Sequence, residues 1–328
     1  MMQDAAPLVS VVVPTYRRAD LLARCLAALL RQTLPPQAYE IIVCDDGPGQ
    51  AVRQAVAQAR ACAPRGLALH YHAVRDTQGP AGARNVGWRS ARAPIVAFTD
   101  DDTVPDPQWL QAGLRAMADG AGAASGRIVM PLPERPTDCE RDAARLQEAE
   151  FATANCFVLR AALEAVDGFD ERFTIAWRED SDLHFSLLRD GWRIVRAPEA
   201  VVVHPLRAAR FGAGVGMQRK IMFDVLLYCK HPRLYRQRIR RHPPWLYLAV
   251  CASLVAAVGT FLAGWHGTAL AAALSWAVLS LLFFFRRLRG SAPTLRNLAE
   301  LFVTSALIPP LSIFWRLVGA LRFGRALP

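Results

Sequence analysis

The sequence predicts an α/β fold, a β-sheet flanked by helices, followed by helices that enter a membrane. Three observations carry this. Short apolar runs rich in β-branched residues alternate with helical faces up to residue 99, the pattern of a parallel sheet with helices on both faces. Charge is divided along the chain: residues 1–202 carry 22 Lys and Arg against 26 Asp and Glu, whereas residues 203–328 carry 17 against 2. Two long uncharged apolar runs, 245–264 and 268–285, lie inside that basic part.

Residues 9–13 read as a buried strand stopped by Pro14, and residues 19–32 place Leu21, Leu22, Cys25, Leu26, Leu29 and Leu30 on one helical face. A second strand over 40–44 runs into Asp45-Asp46-Gly47. Residues 51–62 are helical, 67–74 form a third strand, and 79–90 open with glycines and become a helix. Residues 95–99 are a fourth strand, leading into three consecutive aspartates. Further on, 123–130 suit a strand, 141–150 a charged helix, 160–166 and 177–189 helices, and 193–203 a strand ending at His204-Pro205. Ligands of such sheets bind beyond the carboxyl ends of the strands. Residues Thr15 to Arg17, Asp45-Asp46 and Asp100 to Asp102 all fall at those ends.

The run 245–264 is long enough to cross a bilayer, 268–285 is nearly as long, and Trp265-His266-Gly267 makes a tight turn between them. Residues 230–241 before the pair and 286–289 after it are strongly basic, so the positive-inside rule makes a hairpin with both flanks cytoplasmic. Such runs rarely reach this length inside soluble domains. A third stretch, 298–320, holds Pro309-Pro310, Glu300 and Arg316, and reads as a kinked span, a re-entrant segment or an interfacial helix. A basic tail suits nucleic acid or an anionic membrane; the apolar runs beside it decide for membrane lipids and against nucleic acid. The expected division is 1–225 as a catalytic domain, 226–244 as a basic juxtamembrane segment and 245–328 as the membrane part. Residues 1–7 lack the basic start and apolar core of a signal peptide. The seven cysteines are far apart and form no C-x-x-C pair, which suits reduced thiols in a cytosolic compartment.

Carboxylates crowded at a strand end repel one another unless positive charge sits between them. A hard divalent cation with oxygen ligands is the usual solution. Asp45 or Asp46 can accept hydrogen bonds from a base or a ribose, although Asp46-Gly47 is also a good turn former. The glycine-rich stretch from Gly79 to Gly87 allows close backbone approach to a ligand and opens a helix whose N-terminus favours anions. Within it, Arg84 offers a fixed positive charge for a diphosphate.

Six motifs together resemble the family 2 glycosyltransferases of GT-A fold, a Rossmann-like mixed sheet flanked by helices. They are Ser10-Val11-Val12-Val13-Pro14-Thr15-Tyr16-Arg17, Cys44-Asp45-Asp46-Gly47, Gly79 to Gly87, Phe98-Thr99-Asp100-Asp101-Asp102, Asp167-Gly168-Phe169-Asp170-Glu171 and Glu179-Asp180-Ser181-Asp182-Leu183. The resemblance extends over residues 8–205. It implies transfer of a sugar, with inversion, from a nucleotide diphosphate donor to an acceptor hydroxyl on a glycan or lipid-linked molecule. It also implies donor contacts at Pro14, Thr15, Arg17, Asp45, Asp46, Arg84, Asn85, Asp100 and Asp101, with Asp100 on the ribose side and Asp101 open to an inward structural role. Asp102 and His204 are the implied ligands of Mg²⁺ or Mn²⁺. An inverting transfer needs a general base, and the family pattern points to Asp180, with Glu179 beside it. Asp182 is expected to position the helix, and Trp177 either to stack on an acceptor sugar or to pack in the core.

These readings place the catalytic part on the cytoplasmic side of an inner membrane, in a multi-pass protein. Two alternatives stand beside them. A nucleotidyltransferase shares the strand–helix start and the acidic metal site, but needs a glycine-rich basic signature after the first strand. A non-catalytic scaffold retaining the fold would have no reason to keep crowded carboxylates.

Overall fold

The structure is a computed structural model that describes residues 6–207 and 209–324. Most of residues 1–7, read above for a leader, and the last four residues of the expected membrane part lie outside the described residues. The chain forms two compact units, one of residues 1–131 and 146–205, the other of residues 132–145 and 206–328.

The first unit opens with β1 (Val9–Thr15), α1 (Ala19–Leu29), β2 (Tyr39–Asp45), α2 (Gln50–Ala61), β3 (Ala68–Ala73), α3 (Pro80–Ser90) and β4 (Ile95–Thr99). Every residue of β1 and β2 is buried, as strands covered on both faces must be. Then come β5 (Val104–Pro105), α4 (Trp109–Met117) and β6 (Ala123–Val129). The chain leaves for the second unit through α5 (Asp138–Ala144) and returns with β7 (Asn155–Leu159), α6 (Arg160–Ala165), α7 (Glu179–Arg189) and β8 (Ile194–Val203).

These strands form one sheet in the order β3-β2-β1-β4-β7-β6-β8-β5. The first four are parallel, but β7 lies antiparallel to both β4 and β6. The sheet is therefore mixed, and the strand–helix alternation anticipates only its parallel half. The short β5 and the helix α4 carry no expectation from sequence. Trp109 anchors α4, donating from its indole to Asn155 at 2.8 Å and lying 5.1 Å from the Phe157 ring. A Cβ on Gly113 would come within 2.0 Å of that ring, so the close contact of α4 with β7 depends on the glycine.

Two helix starts differ from expectation. Thr137 and Glu140 form a capping box, which starts α5 at Asp138, and a 3₁₀ turn over Arg145–Glu148 follows it. Arg178 has φ 76°, so α7 begins at Glu179 and Trp177 lies outside it.

The second unit continues with α8 (Ala213–Gly216), α9 (Met222–Lys230), α10 (Pro232–Leu234), α11 (Trp245–Leu262), α12 (His266–Leu288) and α13 (Leu295–Phe323). The expected division at residue 225 falls inside α9. The last three helices are long and apolar enough to cross a membrane. Leucines, valines and phenylalanines such as Val255, Leu262, Leu270 and Leu282 are more than half exposed along α11 and α12, as lipid-facing side chains are. The protein is therefore membrane-associated through long apolar helices. All seven cysteines are free thiols.

Candidate active site

The carboxyl ends of β1, β2 and β4 deliver Thr15, Asp45 and the aspartate triplet to one edge of the parallel half-sheet. Thr15 donates its hydroxyl to Asp101 at 2.7 Å. Asp101 is buried and also accepts from Arg18 at 3.2 Å. Burial pushes its pKa up, the Thr15 bond and the Arg18 charge pull it down, and the charges of Asp102 and Asp100 raise it again.

Arg18 was not singled out from the sequence, and it lies 3.8 Å from Asp102 as well. Arg17, which was, is exposed, has φ 54° and holds its guanidinium over the Tyr16 ring. The cation that pairs with the triplet is the next residue, Arg18. Two adjacent arginines at a strand exit were the available signal, and periodicity could not choose between them. Pro14 is buried in β1 opposite Cys44.

Asp45 is fully buried and accepts from the Tyr71 hydroxyl at 2.9 Å and from the Gly47 and Gly49 amides at 3.1 and 3.4 Å. Tyr71, on β3, is a second partner that sequence reasoning missed. Asp46 accepts from the Gly79 amide at 2.9 Å, while its other oxygen is buried with no partner. Burial raises its pKa, the Gly79 bond lowers it, and the Asp45 charge raises it.

The glycine-rich stretch closes on the protein itself. A Cβ on Gly87 would sit 2.3 Å from Val12, and Gly79, at φ 97°, would meet the backbone of Thr174. Gly87 lets α3 lie close against β1. Asn85 is fully engaged: its amide donates to Phe169 O and Glu171, each at 2.8 Å, and its oxygen accepts from Trp88 at 2.8 Å and Phe169 N at 3.0 Å. With those positions filled, Asn85 pins the 167–171 loop.

Arg84 is almost wholly buried, donating to Asp100 at 2.8 Å and to Glu179 at 3.0 Å. It bridges the triplet and the first turn of α7. Glu179 is buried, with its second oxygen unpartnered. Burial lifts its pKa to about 7, against the pull of Arg84 and with the help of the Asp180 charge. Asp180 is half-buried and accepts from the Ser181 amide at 2.6 Å. Burial raises its pKa too, opposed by the Ser181 bond and by the charges of Arg178 and Arg84.

Asp100, Asp102 and His204 each offer a ligand atom, and these atoms lie within 4.8 Å of one another. His204 Nε2 is 3.4 Å from Asp102, and its Nδ1 is buried without a partner. Two carboxylates and an imidazole with an unsatisfied nitrogen fit a divalent cation such as Mn²⁺. Asp100, expected on the ribose side, belongs to this cluster by position.

A mixed sheet of this order, with an acidic edge and C-terminal apolar helices, defines a GT-A type nucleotide-sugar transferase. The model of Glycosyl transferase family 2 matches residues 10–155, and that of Glycosyl transferase family group 2 matches residues 95–286. The chain belongs to the family 2 glycosyltransferases. It is similar to the glycosyltransferase AglE of Haloferax volcanii, 27% identical over 241 residues that cover 68% of this chain and 77% of that one. It is also similar to validoxylamine A glucosyltransferase of Streptomyces hygroscopicus subsp. limoneus, 33% identical over 227 residues, 56% of this chain. The match spans about half (49%) of that relative's length. Among solved structures, the mannosyltransferase PcManGT from Pyrobaculum calidifontis, in complex with GDP-Man and Mn²⁺, superposes with a TM-score of 0.61 at 22% identity, covering 97% of this chain and 87% of that one. Residues 1–349 of S. aureus TarS, in complex with UDP, give 0.52 at 17% identity, covering 94% and 91%. These likenesses show the fold.

Proposed function

We propose that this glycosyltransferase moves a sugar, with inversion, from a nucleotide diphosphate donor to an acceptor hydroxyl on a lipid-linked or cell-surface glycan. The observation that carries the reading is the Asp100, Asp102 and His204 cluster joined through Arg84 to the Glu179-Asp180 pair. Solved structures of the same fold bound to GDP-Man with Mn²⁺ and to UDP support the donor class, and the similarity to the glycosyltransferase AglE and to validoxylamine A glucosyltransferase supports glycosyl transfer.

A divalent cation held by Asp102, Asp100 and His204 would neutralise charge growing on the departing nucleoside diphosphate. Asp45 and Asp46 stand where the nucleoside would bind, and the unpartnered Asp46 oxygen is free to accept from it. Arg18, paired with the triplet yet 41% exposed at its side chain, is the cation best placed to meet the diphosphate. Asp180 takes the proton from the acceptor hydroxyl as the sugar bond forms. Its raised pKa makes it a stronger base than a free carboxylate. Arg84 pairs with Glu179, the residue before it.

The basic segment 226–244 and the hairpin that follows hold the catalytic part on the cytoplasmic side, because both flanks of the hairpin are rich in arginine. The test is a thermal-shift screen of nucleotide diphosphates with and without Mn²⁺, followed by transfer of labelled sugar into a lipid extract. Specific, metal-dependent stabilisation by one nucleoside diphosphate is expected; stabilisation by none would refute the donor class.

A further inference from the structure

By length and composition α13 qualifies as a third membrane span. Its packing argues otherwise. We infer that α13 is an in-plane helix, with its polar face on the protein and its apolar face seated in the headgroup–acyl boundary of an anionic leaflet.

The first observation is the division of its surface. Asn297, Thr304, Ser305, Ser312, Arg316 and Gly319 are buried along one side at helical spacing, with Leu301, Ile308 and Pro309 among them. Opposite them, Phe302, Val303, Leu307, Phe314, Leu317 and Leu321 are 43–89% exposed. In the most apolar window of α13, 39% of residues are buried, against 6% for α11 and 11% for α12.

The second is what the polar side touches. Glu300 accepts from the Gly212 amide at 2.9 Å, Trp315 lies under Arg219, Arg316 pairs with Asp224 at 3.4 Å, and Phe323 packs on Phe223. A Cβ on Gly319 would meet Met222 O at 2.7 Å, and Gly324 O accepts from Cys229. From Glu300 to its C-terminus, then, α13 runs beside residues 212–229. That companion carries Arg219, Lys220 and Asp224 and is not among the described helices apolar enough to span. Because these contacts run from Glu300 to the C-terminus of α13, its length stays at the level of that companion.

The third is the crossing with α12. Phe284 meets Phe302 at 6.2 Å, and Arg287 donates to Thr304 and Ser305 at 2.7 and 3.1 Å. The last turn of α12 thus touches α13 roughly 10–15 Å past its start. A helix turning back through the bilayer would set those residues beside the middle of α12 instead. Arg296 and Arg322 are exposed near the two ends of α13, complementary to anionic headgroups.

Two measurements on the full chain test this. Topology reporters placed after Gly290 and after Gly324 should report the same side of the membrane; opposite sides would make α13 a span and overturn the inference. The unmutated protein is also placed in vesicles of phosphatidylglycerol and phosphatidylcholine carrying a photoreactive group either near the glycerol or at the acyl-chain end. Phe302, Leu307, Phe314 and Leu321 should all be labelled from the glycerol position and none from the chain end. Chain-end labelling near Pro309-Pro310 would make the segment re-entrant, and no labelling at all would mean the face does not meet lipid. Either result overturns the inference.

Discussion

Arg84 donates to Glu179 at 3.0 Å, and both side chains are almost wholly buried. Its other terminal nitrogen reaches Asp100 at 2.8 Å, so one guanidinium ties the acidic edge of the sheet to the helix bearing Asp180. Truncating it strands two carboxylates. Arg84→Met is expected to cost about 3–5 kcal/mol of stability, the range for breaking a buried ion pair from one side. Thermal unfolding of the variant checks this, and a midpoint equal to that of the native protein would remove Arg84 from the bridge.

The raised pKa of Glu179 sets a pH dependence. A carboxyl whose folded value stands above its unfolded value favours the folded state most below the unfolded value of 4.5, and that contribution is lost as pH rises through about 7. Glu179→Gln removes the titration and still accepts from Arg84. Native minus variant stability should therefore fall between pH 4.5 and 7 and stay flat above. Denaturant melts across that window test it; a difference that grows with pH reverses the sign.

Asn85→Ala separates structure from donor binding. The side chain satisfies both backbone groups of Phe169, and each buried group left unpaired costs about 1–3 kcal/mol. The variant should melt earlier yet bind a nucleoside diphosphate with unchanged affinity when titrated well below its melting point. A large loss of affinity in a folded variant would return Asn85 to the donor site.

Asp180→Asn keeps shape and removes basicity. Turnover should fall by about two to four orders of magnitude, the usual worth of a positioned base, with donor affinity retained. The acidic limb of the pH–rate profile should vanish. If Asp180→Asn is active and Glu179→Gln is dead, the base is Glu179.

Asp102→Ala should abolish the Mn²⁺-dependent part of nucleotide binding while leaving the protein folded. His204→Ala should weaken it less, since one imidazole is lost and both carboxylates remain. Calorimetric titration with and without the metal reads both, and equal metal enhancement in Asp102→Ala and the native chain would discard the cluster.

Local pattern alone was enough for the strands that begin the chain, for the acidic edge and for the hairpin. A fully buried strand such as β1 must be continuously apolar, and a lipid-facing helix such as α11 must exclude charge over its length, so both write themselves into consecutive residues. What only the tertiary structure decided depends on residues far apart. Strand β7 pairs antiparallel with both β4 and β6, which no local periodicity records. Arg84 becomes a bridge because Asp100 and Glu179, 16 and 95 residues away, close on it from both sides. Arg18 pairs with the triplet while Arg17 lies over the Tyr16 ring, and the Asn85 amide is taken by a loop 84 residues on. Motif spacing marks where charge collects on the sheet edge; which atoms remain free there is settled by packing, because hydrogen-bond partners are chosen by distance in space.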